Sequence, residues 1–471
     1  MTLASVPFVA AAILLAGCVV GPDFKPPTTP SPATWRDQGP TISAPDRLAT
    51  DWWTMFADET LNDLEVRALS ANQDLRKAVA RVDENRASLR VAKAARYPAI
   101  NLNQSYERHR SLENGSTPSE QNQFRATLEG SYEFDLWGRV RRTVESAAAQ
   151  SAAVEAARDT VLLNLTADVA DNYFNLRSLD AEISVLERTL SLREKALEVN
   201  QSRLDTGIAL PADVSQAETE LANVQSDFSE ARRRRSVFRN ALAVLCGEPA
   251  STFEIKTQPL ASTTPPEVPA GLPSELLLRR PDVAEAEQTA AAMCAEIGVA
   301  KTAFLPSVKL TGYAGFESVA LKDLLNSESR IWAIGPSVSL PIFNGGKNRA
   351  NLKVAEARYE QAAAAYRQNV LGAFRDVEDA LANTRAYAEQ AEALRRAEES
   401  ARRTASYFDQ RLRGGMIGYL DVLEAQRTLL QAERATVQNH SARYSASVQL
   451  IKSLGGGWKA GAQPLVHTQA L

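Results

Sequence analysis

Apolar positions along the chain change their period in a fixed order. From Asp58 to Arg96, and again from Arg139 to Thr206, they recur every three or four residues, and neither run contains Gly or Pro. That spacing is one face of a helix, and nothing inside either run breaks it. The second run is 68 residues long. As one helix it would reach about 100 Å, so its apolar stripe has to be buried against other long helices. Between the two runs the period drops to two. Ile100, Leu102 and Tyr106 fall on one face, with Asn101, Asn103, Ser105 and Glu107 on the other. Beyond a polar loop from His109 to Gln121, Phe124, Ala126, Leu128, Gly130, Tyr132 and Phe134 alternate with Arg125, Thr127, Glu129, Ser131, Glu133 and Asp135. Two strands are expected there. After the long run come a turn from Gly207 to Pro211 and a further helix to Cys246.

The same order returns later in the chain. Adding 208 to a residue number takes Asp74 to Asp282, Lys93 to Lys301, Pro98 to Pro306, Gly138 to Gly346, Asp168 to Asp376, Gly207 to Gly415, Asp213 to Asp421 and Gly247 to Gly455. Matches that include the Gly and Pro positions, without a gap, indicate a tandem duplication. The second copy has a helix around Pro281 to Phe304 and a strand with Val308, Leu310, Gly312, Ala314 and Phe316 on one side. Its second strand carries Trp332, Ile334, Val338, Leu340 and Ile342 on one face, interrupted by Pro336. Its long helix runs from Lys347 to Arg413 and has a coiled-coil seam of small knobs. The chain divides into a signal peptide (1–17), an N-terminal segment (18–57), a first repeat (58–247), a linker (248–273), a second repeat (274–455) and a tail (456–471). A short strand near Phe253 to Ile255 and a loosely ordered glycine tail from Gly455 are expected.

Strands of this length with one mainly apolar face have the dyad pattern of a membrane barrel. Four strands cannot close, and open edges are not tolerated in lipid. Closed barrels begin at about eight strands, so copies must pool their strands; two copies or three both satisfy this.

Composition adds limits. A 44% apolar, 23% charged chain of 471 residues with net charge −4 is a folded protein without a dominant basic surface, so nucleic-acid binding is not expected. The apolar stretch from Leu3 ends in Leu15-Ala16-Gly17-Cys18, which resembles a bacterial lipoprotein processing site with Cys18 as the acylated residue. Val19 follows it, and by that resemblance to lipoproteins the residue at this position implies delivery to the outer membrane. Cys246 and Cys294 lie in apolar helical segments and are expected as buried free thiols. No phosphate-binding glycine loop or nucleophile elbow is present, the histidines (His109, His440, His467) are scattered, and the four methionines form no thioether path. Neither an enzyme nor a cofactor or metal is expected, beyond covalent lipid on Cys18.

Phe134-Asp135-Leu136-Trp137-Gly138-Arg139, Leu272-Pro273-Ser274-Glu275-Leu276-Leu277-Leu278-Arg279-Arg280-Pro281-Asp282 and Ala295-Glu296-Ile297-Gly298-Val299-Ala300-Lys301 resemble segments of the TolC-type outer-membrane efflux proteins, in the lipoprotein branch of tripartite (RND-type) systems. The resemblance implies a mixed, mainly α fold: a homotrimer with a 12-stranded β-barrel continued by an α-helical coiled-coil tunnel into the periplasm. It further implies a lipid-anchored outer-membrane protein serving as a passive exit duct, with a periplasmic adaptor and an inner-membrane transporter as partners. A duct for type I protein secretion is the alternative. By the same resemblance, Gly207, Ile208, Gly415 and Met416 at the helix reversals are adaptor-contact candidates. Leu420, Glu424 and Arg427, on one helical face, are candidates for a periplasmic gate.

Overall fold

A computed structural model describes residues 19–36, 49–113, 117–260, 264–268 and 279–458. Cys18 and the signal peptide lie outside the described residues. Seven α-helices are described: α1 (Glu59–Ala71), α2 (Gln73–Ala94), α3 (Arg139–Asp205), α4 (Pro211–Leu245), α5 (Pro281–Thr302), α6 (Lys347–Arg413) and α7 (Tyr419–Ser453). The strands are β1 (Ala99–Glu113), β2 (Thr117–Phe134), β3 (Ser307–Ser318) and β4 (Arg330–Ser339).

Adding 208 to the bounds of α2, α3 and α4 gives those of α5, α6 and α7. The duplication extends to backbone detail. Gly138 and Gly346 have φ of 82° and 86°, Gly207 and Gly415 of 73° and 70°, and Gly247 and Gly455 of 69° and 87°. Asn72 donates to the carbonyl of Leu245 at 2.9 Å, and its counterpart Arg280 donates to that of Ser453 at 3.3 Å. Two different side chains thus cap the same carbonyl in the two repeats.

The chain forms two compact units that cut across the repeats. The first, containing 81–155 and 285–367, holds a four-stranded antiparallel sheet in the order β1-β2-β3-β4. Its register aligns the apolar positions: Ile100 opposes Gly130, Gly130 opposes Gly312, and Gly312 opposes Ile334. Leu102, Leu128, Ala314 and Trp332 form the next row. Side chains of this face stay in solvent, with Ile100 71% and Trp332 75% exposed. On the other face Arg125 stacks over the Tyr313 ring and lies 3.7 Å from Glu317, to which Gln123 also donates. One face is apolar and unpacked, the other polar and cross-linked.

Within the same unit, the segment from Val19 to Asp23 is docked. Val20 N–H donates to the Trp137 carbonyl, and the buried Arg142 reaches the carbonyls of Val20 and Gly21 and the Asp23 carboxylate. A Cβ on Gly298 would meet Arg142 and the Val20 carbonyl at 2.9–3.0 Å, so Gly is needed there for the segment to lie down. Cys294 is covered by it, with Sγ 3.8 Å from the Pro22 carbonyl.

The second unit (29–80, 156–284 and 368–471) is helical among its described residues. Its core gathers Trp52, Trp53, Leu61, Leu64, Tyr173, Phe174, Leu242, Phe253, Tyr444 and Ile451. Burying each large apolar side chain contributes roughly 1.5–3 kcal/mol.

Five expectations are corrected. The first helix is broken at Asn72, whose backbone is extended and whose side chain accepts from Leu75 N–H, starting α2 anew. The loop expected from His109 to Gln121 is mostly strand, because β1 and β2 pair as far as Glu113 and Thr117. The last strand ends at Ser339, short of Leu340 and Ile342, while Pro336 leaves its pairing unbroken, since β4 is an edge strand that tolerates a missing donor. Phe253 to Ile255 is not a strand: both ends are buried as irregular chain, and the Arg177 guanidinium holds the Lys256 carbonyl at 2.6 Å. The glycine tail is packed as far as Trp458, whose indole N–H donates to Asp159 at 2.7 Å; Gly455 and Gly456 are buried.

Candidate functional site

The candidate gate residues stand at the start of α7. Leu420 and Glu424 are exposed and line a groove of ≈ 600 Å³ with Ala401, Thr404, Phe408 and Thr428. Leu423, between them, is fully buried and fixes the helix rotation. Arg427 is half-buried and bridges two carboxylates. One N–H donates to Glu424 Oε1 at 2.8 Å and another to Glu220 of α4. Glu220 is 5% exposed, and its far oxygen lies 3.9 Å from Arg193 of α3. Arg193, itself 2% exposed, donates to Gln426 Oε1 at 2.7 Å.

Two of the three expected residues, Glu424 and Arg427, are therefore part of a five-residue network that also holds Glu220, Arg193 and the Gln426 amide, and Leu420 stands in the groove beside it. Sequence reasoning missed Glu220 and Arg193 because they lie 207 and 233 positions away from their partners. The hydrogen bond from Arg427 is the main cause that holds the Glu220 carboxyl below its ordinary range; burial opposes it, and the charges of Arg427 and Arg193 add to it. The guanidinium groups of the half-buried Arg427 and the buried Arg193 balance a carboxylate charge that burial alone would make costly. One heptad further along α7, Arg434 repeats the device, donating to Glu182 at 2.9 Å and Asp227 at 2.8 Å. Glu220 and Asp227 are likewise seven apart, so two arginines of α7 clip α4 and α3 in register.

The network belongs to one repeat only. Subtracting 208 from Leu420, Glu424 and Arg427 gives Ala212, Gln216 and Thr219, which cannot form it. The candidate tips show the opposite, since they are nearly identical in the two repeats. Gly207 N–H bonds to the Leu204 carbonyl and Ile208 N–H to that of Arg203; Gly415 and Met416 bond to Leu412 and Arg411 in the same way. These are helix ends closed by a left-handed glycine. A Cβ on either glycine would touch nothing within 4 Å, and Ile208 and Met416 are 69% and 61% exposed. Apolar side chains are presented outward at both reversals. Cys246 and Cys294 are both buried. Among the described residues no cluster of His, Cys, Asp and Glu could hold a metal ion.

The sequence matches the family described as outer membrane efflux protein over residues 64–248 and 272–456. It is 35% identical over 457 residues to the solvent efflux pump outer membrane protein SrpC of Pseudomonas putida, covering 95% of this chain and 97% of that one. It is 32% identical over 448 residues to the cation efflux system protein CusC of Escherichia coli K12, covering 95% and 98%. The open-state structure of the Neisseria gonorrhoeae MtrE outer membrane channel superposes with a TM-score of 0.82 at 33% identity, covering 95% and 100%. With an apolar sheet face suited to lipid and long helices that match these channels along nearly their whole length, the chain belongs to the outer membrane efflux protein family and is the outer-membrane channel of an efflux pump.

Proposed function

We propose that three copies pool their strands into a 12-stranded barrel, and that the channel is a passive exit duct whose inner end is held shut by the α7 network. An adaptor docks on the two helix reversals at Gly207, Ile208, Gly415 and Met416, and an inner-membrane transporter supplies the energy. Acyl chains on Cys18 anchor the chain in the outer membrane. The observation that carries this reading is the four-stranded sheet with an apolar exposed face and two unpaired edges. Such a sheet satisfies its backbone in lipid only by closing with other copies.

The gate follows from the one-repeat network. Symmetric copies would present Leu420 as an apolar ring and Glu424 as an acidic ring, which attracts cations and repels anions. Arg427 ties the acidic side chain to Glu220 and so holds α7 against α4. Of the two kinds of cargo, small molecules are favoured, because the relatives' names are those of solvent and cation pumps.

The test is single-channel recording in planar bilayers. Glu424→Ala with Arg427→Ala raises conductance several-fold, and Gln216→Ala with Thr219→Ala, the same positions of the other repeat, leaves it unchanged. Equal conductance for wild type and both variants removes the gate. A purified protein that neither forms an oligomer nor conducts removes the duct.

A further inference from the structure

The apolar face of the sheet ends abruptly, and what stands beyond it is basic. Contacts settle which side chains share that face. Tyr106 stacks on Phe124 with ring centroids 4.7 Å apart, and its hydroxyl donates to Asn122 Oδ1 at 3.1 Å. Arg108, next on the same face, donates to Glu120 Oε2 at 2.6 Å. Alternation puts Arg110 there as well, and on β4 Arg330 shares the face of Trp332. Along β2, the apolar positions run from Phe134 to Phe124. At about 3.4 Å per residue that is roughly 34 Å of strand, and a tilt of about 40° reduces it to about 26 Å. The apolar band of a membrane barrel is about 25 Å tall. The lipid tails therefore end at the Tyr106–Phe124 pair, and the next outward positions reach the level of the headgroups. These lie at the end of the sheet remote from the helices, where β1 joins β2.

Two guanidinium groups, those of Arg108 and Arg110, project there against one carboxylate; Arg330 stands one row nearer the helices, opposite Phe316 in the row of Ala126, and its long side chain can extend to the same level. Glu120 accepts from Arg108, and among the described residues no carboxylate pairs with Arg110 or Arg330. All three arginines are exposed. In the strands the other described charges (Glu107, Arg125, Glu129, Glu133, Lys309 and Glu317) alternate onto the polar face. Arg is the side chain that matches a phosphate with two parallel N–H donors. β1 and β4 are the two edges of the sheet, so closing a barrel from several copies brings Arg330 of one copy to the seam that carries Arg108 and Arg110 of the next.

We infer that Arg108, Arg110 and Arg330 form a binding surface for the phosphate groups of the outer-leaflet glycolipid. It rests on the closed-barrel reading above. The aromatic pair sits against the acyl chains while the arginines hold the phosphates, so the glycolipid seals the seam between copies.

The experiment uses the full-length channel in detergent, with lipopolysaccharide added intact or with its lipid A phosphates removed, and binding followed by native mass spectrometry. Intact lipopolysaccharide is expected to bind at least tenfold more tightly than the dephosphorylated form. The triple variant Arg108→Gln, Arg110→Gln, Arg330→Gln loses that difference. Arg125→Gln, on the opposite face, and the triple Arg→Lys variant retain all or part of it. Equal binding of the two lipopolysaccharides by wild type, or an undiminished preference in the triple Gln variant, overturns the inference. Conductance of the same samples reports on the duct separately: a channel that conducts but shows no phosphate preference refutes this surface alone.

Discussion

Glu220 and Glu65 are both buried carboxyls of the helical unit, and their surroundings push them in opposite directions. Glu220 is held below the ordinary range by the Arg427 hydrogen bond. Its contribution is present above the unfolded value of about 4.3 and is lost as pH falls through the lower folded value. The clip between α4 and α7 is therefore expected to survive mild acid and to release only below about pH 4, as a rise in conductance at the acid end of a pH series. Glu65 is fully buried on α1, and neither oxygen has a hydrogen-bond partner among the described residues. Burial alone raises its pKa well above normal. Here stability is complete below the unfolded value of about 4.3 and falls as pH rises towards the folded one, because the unfolded chain ionises first. Glu65→Met removes a buried, unsatisfied group worth about 1–3 kcal/mol. The midpoint of thermal unfolding should rise more at pH 8 than at pH 4.5, and an equal rise at both would contradict a neutral buried acid.

At the level of elements, the helix ends separate two costs of a left-handed glycine. Gly207 has φ of 73° with open space around it, so Gly207→Ala costs only the conformational term, about 1–2 kcal/mol. Gly247 has nearly the same φ, but a Cβ would lie 2.5 Å from the Ala71 carbonyl oxygen, where backbone must move. Gly247→Ala should destabilise markedly more in denaturant titration; equal losses would show that packing at α1 is loose. These glycines, the 208-residue offset and the period change from four to two made the helices and the sheet legible in the sequence. Three things were not. Asn72 breaks the first helix by capping a new one, a polar residue doing locally what Gly and Pro do elsewhere. The strands beyond Tyr106 leave the lipid band, so the apolar alternation that signalled them stops while their pairing continues. Arg142 gave no sign of its role, because its partners at Val20, Gly21 and Asp23 are about 120 residues away and two of them are backbone carbonyls. Arg142→Ala should free that segment and uncover Cys294 to maleimide while Cys246 stays protected; an unreactive Cys294 would mean the segment is held without the guanidinium.

For the whole molecule, the two faces of one sheet make opposite demands. Ile334 sits in the row of Ile100, Gly130 and Gly312, near the middle of the apolar run on β2, and is 68% exposed on the face that the barrel turns to lipid. Ala333, its neighbour, pairs with Tyr313 on the polar face. An arginine at a barrel's midplane facing lipid costs about 2–4 kcal/mol, whereas facing an aqueous lumen it keeps its hydration. Ile334→Arg should therefore lower the yield of folded oligomer in bilayers and its resistance to urea. Ala333→Arg should assemble normally and change only the conductance. The two substitutions are adjacent and introduce the same side chain, so strand propensity and net charge cancel in the comparison. What remains is the direction in which each side chain points once the copies have closed. Equal damage from both would mean that the sheet is not a barrel wall with lipid on one side and water on the other.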